Sequence, residues 1–325
     1  MSKLKDYVPA LQYGAKVLPS EILGGGATVF GNAWYVDYTN GSDSDTGDAP
    51  DHAFKTIQAA HDVATTNNHD VIYLSAYAAH AQTAMLTISK SRLHFIGTGV
   101  GFRRYGQRTR ITMGVTTLAT DVFLMKNTGV GNSFINIKFD SGNTLTQAVS
   151  TVGEGGEYAS YMNCEFYNSA KLTSDTHSEM VLNGDSAQFY DCTFGSLADS
   201  VSGNKIRPAV LLTAGTVASG AVSRDVLFDN CRFWKNAGGT ATAMIKGAAT
   251  DVERVMEFHD CQFIANVLGS QPAVAIDVAT LTVGQILLTG DTCATECTKI
   301  GTATGIINCT PARVAAALIG IQANG

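Results

Sequence analysis

Four of the cysteines that directly follow an Asn or Asp recur at regular intervals: Asn163-Cys164, Asp191-Cys192, Asn230-Cys231 and Asp260-Cys261. Thiols beside amides and carboxylates at regular spacing could ligate a soft metal or act as nucleophiles. Each pair, however, lies in one recurring phrase. Its copies are Phe134-Ile-Asn-Ile-Lys-Phe139, Tyr161-Met-Asn-Cys-Glu-Phe166, Phe189-Tyr-Asp-Cys-Thr-Phe194, Phe228-Asp-Asn-Cys-Arg-Phe233 and Phe258-His-Asp-Cys-Gln-Phe263. In the first copy the thiol position is Ile137, which supports no thiol chemistry but suits a packed interior. The repeated cysteines are therefore read as inward-facing free thiols, not as a disulfide framework or a reactive set.

Other candidates are thin. The position between Cys/Ile and Phe holds Lys138, Glu165, Thr193, Arg232 and Gln262. Glycoside hydrolysis needs two carboxylates about 5–10 Å apart, and neighbouring turns of the repeat offer Glu165 and Asp191. Asp191 is better explained as a corner residue. Asp43, Asp45 and Asp48 suggest calcium, but the twelfth position of an EF-hand counted from Asp43 is Phe54. Cys293, Cys297 and Cys309 lack a fourth zinc ligand at a standard spacing. No nucleophile elbow, phosphate loop or dinucleotide fingerprint occurs. The expectation is no catalytic residue, no cofactor and no metal.

The elements that position these residues follow from parity. Cys192 and Phe194 share one face of a strand, and Phe189 joins them only if the chain bends at Tyr190-Asp191. An Asn or Asp at each bend (Asn136, Asn163, Asp191, Asn230, Asp260) suits a tight corner, because its side chain bonds neighbouring backbone. The Cys/Ile positions 137, 164, 192, 231 and 261 are 27, 28, 39 and 30 residues apart, a period typical of stacked solenoids. A second repeated strand lies at residues 179–182, 209–212, 243–245 and 273–276. The 39-residue step contains an insertion, placed at Gly215 to Arg224 or Leu197 to Lys205. Upstream, Trp34-Tyr-Val-Asp37 reads as a strand and residues 40–48 as a turn-rich acidic loop. Phe54, Ile57, Ala60 and Ala64 predict an amphipathic helix over 54–64 with Asp51 as its cap. Strands follow at 71–74, 86–88, 93–96, 110–113 and 122–125.

Trp34 to Met113, with Val36-Asp37, Asn40-Gly-Ser-Asp-Ser, Ala53-Phe-Lys-Thr-Ile-Gln-Ala-Ala60, Val71-Ile-Tyr-Leu74, Leu86-Thr-Ile-Ser89 and Leu93-His-Phe-Ile-Gly97, resembles the opening of pectin-lyase-like right-handed β-helix proteins. The resemblance implies an all-β, right-handed single-stranded parallel β-helix with three strands per coil, seven or eight coils and an N-terminal capping helix. The domain reading is a docking arm at 1–33, the β-helix at 34–310 with its capping helix at 54–64, and a C-terminal cap or tail at 311–325. Both ends of such a prism need covers.

Of 325 residues, 45% are hydrophobic and 15% charged, and the net charge is −6. That balance supports a large core and argues against a nucleic-acid or anionic-membrane partner. Arg103, Arg104, Arg108 and Arg110 form a local basic patch, read as a solvated loop. No secretory signal or 18-residue apolar run is apparent, so residence in a cytoplasm or release by lysis is expected. The arm is apolar and aromatic, with Tyr7, Val8, Leu11, Tyr13, Val17, Leu18 and Ile22 as candidate partner-binding residues. The combination resembles β-helix virion proteins of tailed bacteriophages. That resemblance implies a capsid decoration or cement protein, bound through the arm to a major capsid protein as a homotrimer on the virion surface. The alternative is a polysaccharide lyase or depolymerase acting on a surface glycan.

Overall fold

The computed structural model describes residues 31–99, 109–115, 123–142, 150–168, 177–200, 205–237, 239–267, 272, 274–278, 281–297, 299–301 and 306–308. Their strands form three sheets, one of ten strands and two of eight. Every pairing is parallel. The chain visits the ten-stranded first sheet, then the second sheet, then the third, and returns one strand further along the first. Eight strands in each smaller sheet meet the upper figure expected for coils. The first sheet has an additional strand at each end, Ala33–Val36 and Ile306–Asn308.

The repeated phrase spans the corner from first to second sheet. Its five Asn/Asp residues are all left-handed, with φ of 57° at Asn136, 50° at Asn163, 54° at Asp191 and 51° at Asn230 and Asp260. Asn and Asp tolerate this region better than other side-chain-bearing residues. The turn restores the inward parity of the following strand. Asn163 Nδ2 donates to Asn136 Oδ1 at 2.7 Å, and Asn230 Nδ2 donates to Asp191 Oδ1, so the corners form a ladder across coils.

Inside, two aromatic columns run through the middle coils of the prism. Phe95, Phe134, Tyr161, Phe189, Phe228 and Phe258 stack at 4.7–5.1 Å between ring centroids. Phe139, Phe166, Phe194, Phe233 and Phe263 form the second column at 4.7–5.3 Å. The columns meet edge to face, a geometry favoured by the ring quadrupole. Cys164, Cys192, Cys231 and Cys261 are buried beside them, as is Ile137, so this position is packing. Each thiol donates to backbone oxygens, as Cys192 Sγ does to Tyr161 O at 3.5 Å and Tyr190 O at 3.3 Å.

The N-terminal cap differs in detail from expectation. Helix α1 covers Ile57–Val63, and its N-cap is Thr56, whose side chain accepts from Ala59 N–H. Asp51 instead lies in a 3-10 turn, Pro50–His52. Phe54 is not helical because its backbone pairs with the first strand. Asp43 accepts from Lys55 N, Thr56 N and Thr56 Oγ1, so this carboxylate braces the acidic loop against the helix start. Asp70 joins the opening elements, accepting from Asn32 N, Trp34 Nε1, Thr65 N and Asn68 Nδ2. Burial works to raise its pKa, but these bonds outweigh it and hold the carboxyl below the usual value.

Most of the insertion lies between Val210–Leu212 and Ser223–Asp229. It folds against the outside of the third sheet, where Val217 is buried with Phe123 and Val181.

Candidate functional site

The outer face of the second sheet carries the residues through which the repeat could act on a ligand. Register places Arg110, Lys138, Glu165, Thr193, Arg232 and Gln262 in one outward row. Lys138 Nζ lies 3.0 Å from Glu165 Oε1 and 3.9 Å from Asp140 Oδ2, and 4.8 Å from the Tyr167 ring centre. Glu165 has Lys138 and Thr193 as its neighbours, so no second carboxylate stacks on it. The adjacent outward row is interrupted at Gly195, whose φ is 88° and where a Cβ would stand 2.1 Å from the Trp234 carbonyl oxygen. Asp191 is at the corner with Asn230, as its left-handed backbone requires. Glu165 and Asp191 therefore belong to different structural ladders.

Of the arginine patch, only Arg110 is among the described residues; it is exposed on this row next to Lys138. Cys293 is exposed in register with Gln262, whereas Cys297 is buried and its thiol is pushed up to about 12 by burial and by Glu296. Cys309 lies outside the described residues. So do Tyr7, Val8, Leu11, Tyr13, Val17, Leu18 and Ile22, the C-terminal segment 311–325, and Arg103, Arg104 and Arg108. Among the described residues no group of three or more His, Cys, Asp or Glu is placed to hold a metal. No helix there is long and apolar enough to cross a membrane.

Three buried polar groupings escape a reading based on the repeat. Glu154, fully buried, accepts from Asn127 Nδ2 at 2.9 and 3.0 Å, Gly156 N at 2.6 Å and the Tyr161 hydroxyl. The signal in the sequence is Tyr161 itself: a phenol in a column otherwise made of Phe requires a partner. Near the turn from second to third sheet, Lys235 Nζ donates to both oxygens of Glu179 at 2.7 and 2.8 Å. Arg207 Nη2 donates to Asn168 O at 2.6 Å in the same interior. Burial first, and then Arg207, press the Lys235 pKa down, opposed by Glu179.

The third grouping is on the outside of the first sheet. His94 Nδ1 is 2.7 Å from Ser133 Oγ, and its Nε2 is 3.1 Å from His69 Nδ1. A serine on an imidazole is nucleophile geometry. Yet burial, with His69 beside it, lowers the His94 pKa to about 4, and both His94 and Ser133 are 5% exposed. A weak base and a covered hydroxyl make this a hydrogen-bonded brace between strands.

Glu154 has a measurable signature. Burial raises its pKa from 4.5 to about 7, against the bonds from Tyr161, Asn127 and Gly156. A carboxyl with a folded pKa above its unfolded value contributes stability fully below the unfolded pKa and loses it as pH rises through the folded pKa. Stability should thus fall between about pH 4.5 and 7, by on the order of 3 kcal/mol. Urea midpoints across this range should show the slope, and Glu154→Gln should remove it.

No protein-family model matches the chain, and no curated protein matches its sequence. Solved structures do. A pectate lyase, Pel9A, superposes with a TM-score of 0.51 at 12% identity, over 88% of this chain and 82% of that one. A pectin methylesterase mutant in complex with a hexasaccharide gives 0.50 at 14% identity, over 87% and 81%. The ORF18 protein of Geobacillus virus E2 gives 0.48 at 12% identity, over 86% of this chain and 61% of that chain. The fold is the right-handed parallel β-helix. At these identities the likeness concerns the fold. Within that β-helix, Lys138–Glu165, Asn136–Asn163, Asp191–Asn230 and Glu179–Lys235 each fasten one coil to another.

Proposed function

We propose that this β-helix is a structural virion protein of a tailed bacteriophage: a capsid decoration or cement protein that binds the major capsid protein through residues 1–33 and acts as a homotrimer on the particle surface. The observation that carries the reading is the use of chemistry-bearing side chains as fasteners between coils. Lys138 and Glu165 are paired at 3.0 Å, and the Asn/Asp corners bond to one another. A prism built this way resists deformation, which is what a reinforcing block must do. The apolar arm before Trp34 supports attachment at one end.

The direct test is purification of the particle. The chain should be present in stoichiometric amounts, and particles lacking residues 1–33 of it should lose it and disassemble at lower temperature or lower osmotic stress. Absence from any particle overturns the reading. Light scattering of the isolated chain tests the trimer.

A second reading rests on the outer row of the second sheet, which holds Arg110, Lys138, Glu165 and Arg232, with Tyr167 against Lys138. Such a row suits an acidic glycan, and the function would then be a lyase or depolymerase. Reducing-end release from acidic polysaccharides, lost in Glu165→Gln or Arg232→Ala, would establish it. The structural reading expects no release above background from the wild-type chain.

A further inference from the structure

The outer face of the first sheet is divided. Register aligns Tyr35, Tyr73, Ile96, Ile135, Met162 and Tyr190 in one outward row across six successive strands. Beyond them the same row continues as Asp229, His259 and Thr289. Their neighbours along each strand, such as Leu74, Phe95, Phe134 and Phe189, fill the core, so the row faces out. A solvated sheet face alternates to polar residues. In this row that holds from Asp229 onward and fails for the first six strands, while the adjacent outward row is polar at His94, Ser133, Ser160 and Gln188. Tyr35 and Tyr73 stack at 5.4 Å, and most of the row is half-buried. At its centre Ile135 is 3% exposed, and beside it His94 and Ser133 are 5% exposed, although all three face outward. No described helix or strand forms a layer over this face.

We propose that residues 1–30 of the same chain pack on this apolar stripe. Four observations select that occupant. The segment joins the described chain at Gly31, and Asn32 is tied to Asp70 at the start of Ala33–Val36, the edge strand at the apolar end of the face. Thirty residues can extend about 100 Å, whereas six strands span only about 24 Å. The stripe is one to two side chains wide, on the order of 200–300 Å² by those spacings, well short of the roughly 800 Å² per partner of a stable protein interface. A tethered segment needs less area, because its effective concentration is high. Its apolar residues between Tyr7 and Ile22 complement the stripe better than the arginine-rich stretch 103–108 does.

The inference goes beyond the proposed function. It gives the arm a resting place on its own β-helix, whatever partner it later meets.

The test uses the isolated full-length chain with photo-reactive benzoylphenylalanine in place of Met162 or Tyr190, as a mixture of unlabelled and ¹⁵N-labelled copies. Irradiation should give adducts within residues 7–22 of the same isotopic chain. Adducts to residues 100–108, adducts between labelled and unlabelled copies, or no adduct would each overturn the proposal. In a second measurement, the double variant Ile96→Glu/Met162→Glu should be cleaved by trypsin after Lys16 at least about tenfold faster than wild type, since charges on the stripe disfavour apolar packing. Unchanged cleavage overturns the proposal. Neither readout involves a capsid, so co-sedimentation with particles can fail while both succeed.

Discussion

Phe228→Ala should lower stability by about 3–5 kcal/mol, the usual cost of removing a buried aromatic ring from a packed interior. Phe228 stacks on Phe189 at 4.7 Å and on Phe258 at 4.9 Å. It meets Phe194 and Phe233 edge to face at 5.8 and 5.4 Å. The side chain is fully buried, and the coils above and below are held by their own columns, so the cavity cannot readily collapse. Because each coil touches mainly its neighbours, hydrogen exchange should accelerate most in the strands containing Phe189 and Phe258 and least near α1. Uniform acceleration throughout the prism would show that the coils unfold as one unit instead. Phe228→Leu should recover part of the loss by refilling volume without the ring contacts.

Lys235→Met should cost about 3–5 kcal/mol, for a different reason. The pair Lys235–Glu179 is 3% exposed on both side chains, with the ammonium on both carboxylate oxygens. Removing the cation leaves a buried anion without its closest partner, and the penalty is the cost of that stranded charge. The double variant Lys235→Met/Glu179→Leu should recover most of the loss, since replacing both members by apolar groups of similar size is often near neutral. Urea unfolding of the two single variants and the double variant closes the cycle. If the double variant is as unstable as Lys235→Met, the site is held by packing around Arg207 and Asn168 and not by the ion pair.

These two sites differ in how visible they are in the sequence. Phe228 occupies a place that recurs at Phe134, Phe189 and Phe258, so its burial follows from the repeat alone. Glu179 and Lys235 stand at places with no recurring type. Nothing in spacing indicates that residues 56 apart meet in the interior. The same holds for Glu154, signalled only by the odd phenol at Tyr161. At the N-terminus the apolar spacing predicts a helix from Phe54. The observed start at Ile57 reflects competition from the first strand, whose backbone takes Phe54, while Asp43 secures Thr56 as the cap. The place of the insertion is likewise decided by tertiary contact. Val217 anchors it onto Phe123 and Val181, covering the outside of the third sheet.

The sequence by itself determined the coil, its period, its inward positions and the Asn/Asp corners; that those corners are left-handed is seen in the structure. Stacked coils present the same packing problem at the same place in each turn, and the same residue types solve it. Only the tertiary structure decided which groups meet across coils. Lys138 finds Glu165, Lys235 finds Glu179, and six outward apolar residues align on one sheet. Those meetings depend on the register between strands some 23 to 56 residues apart, and side chains that occur once along the chain leave no periodic trace of it.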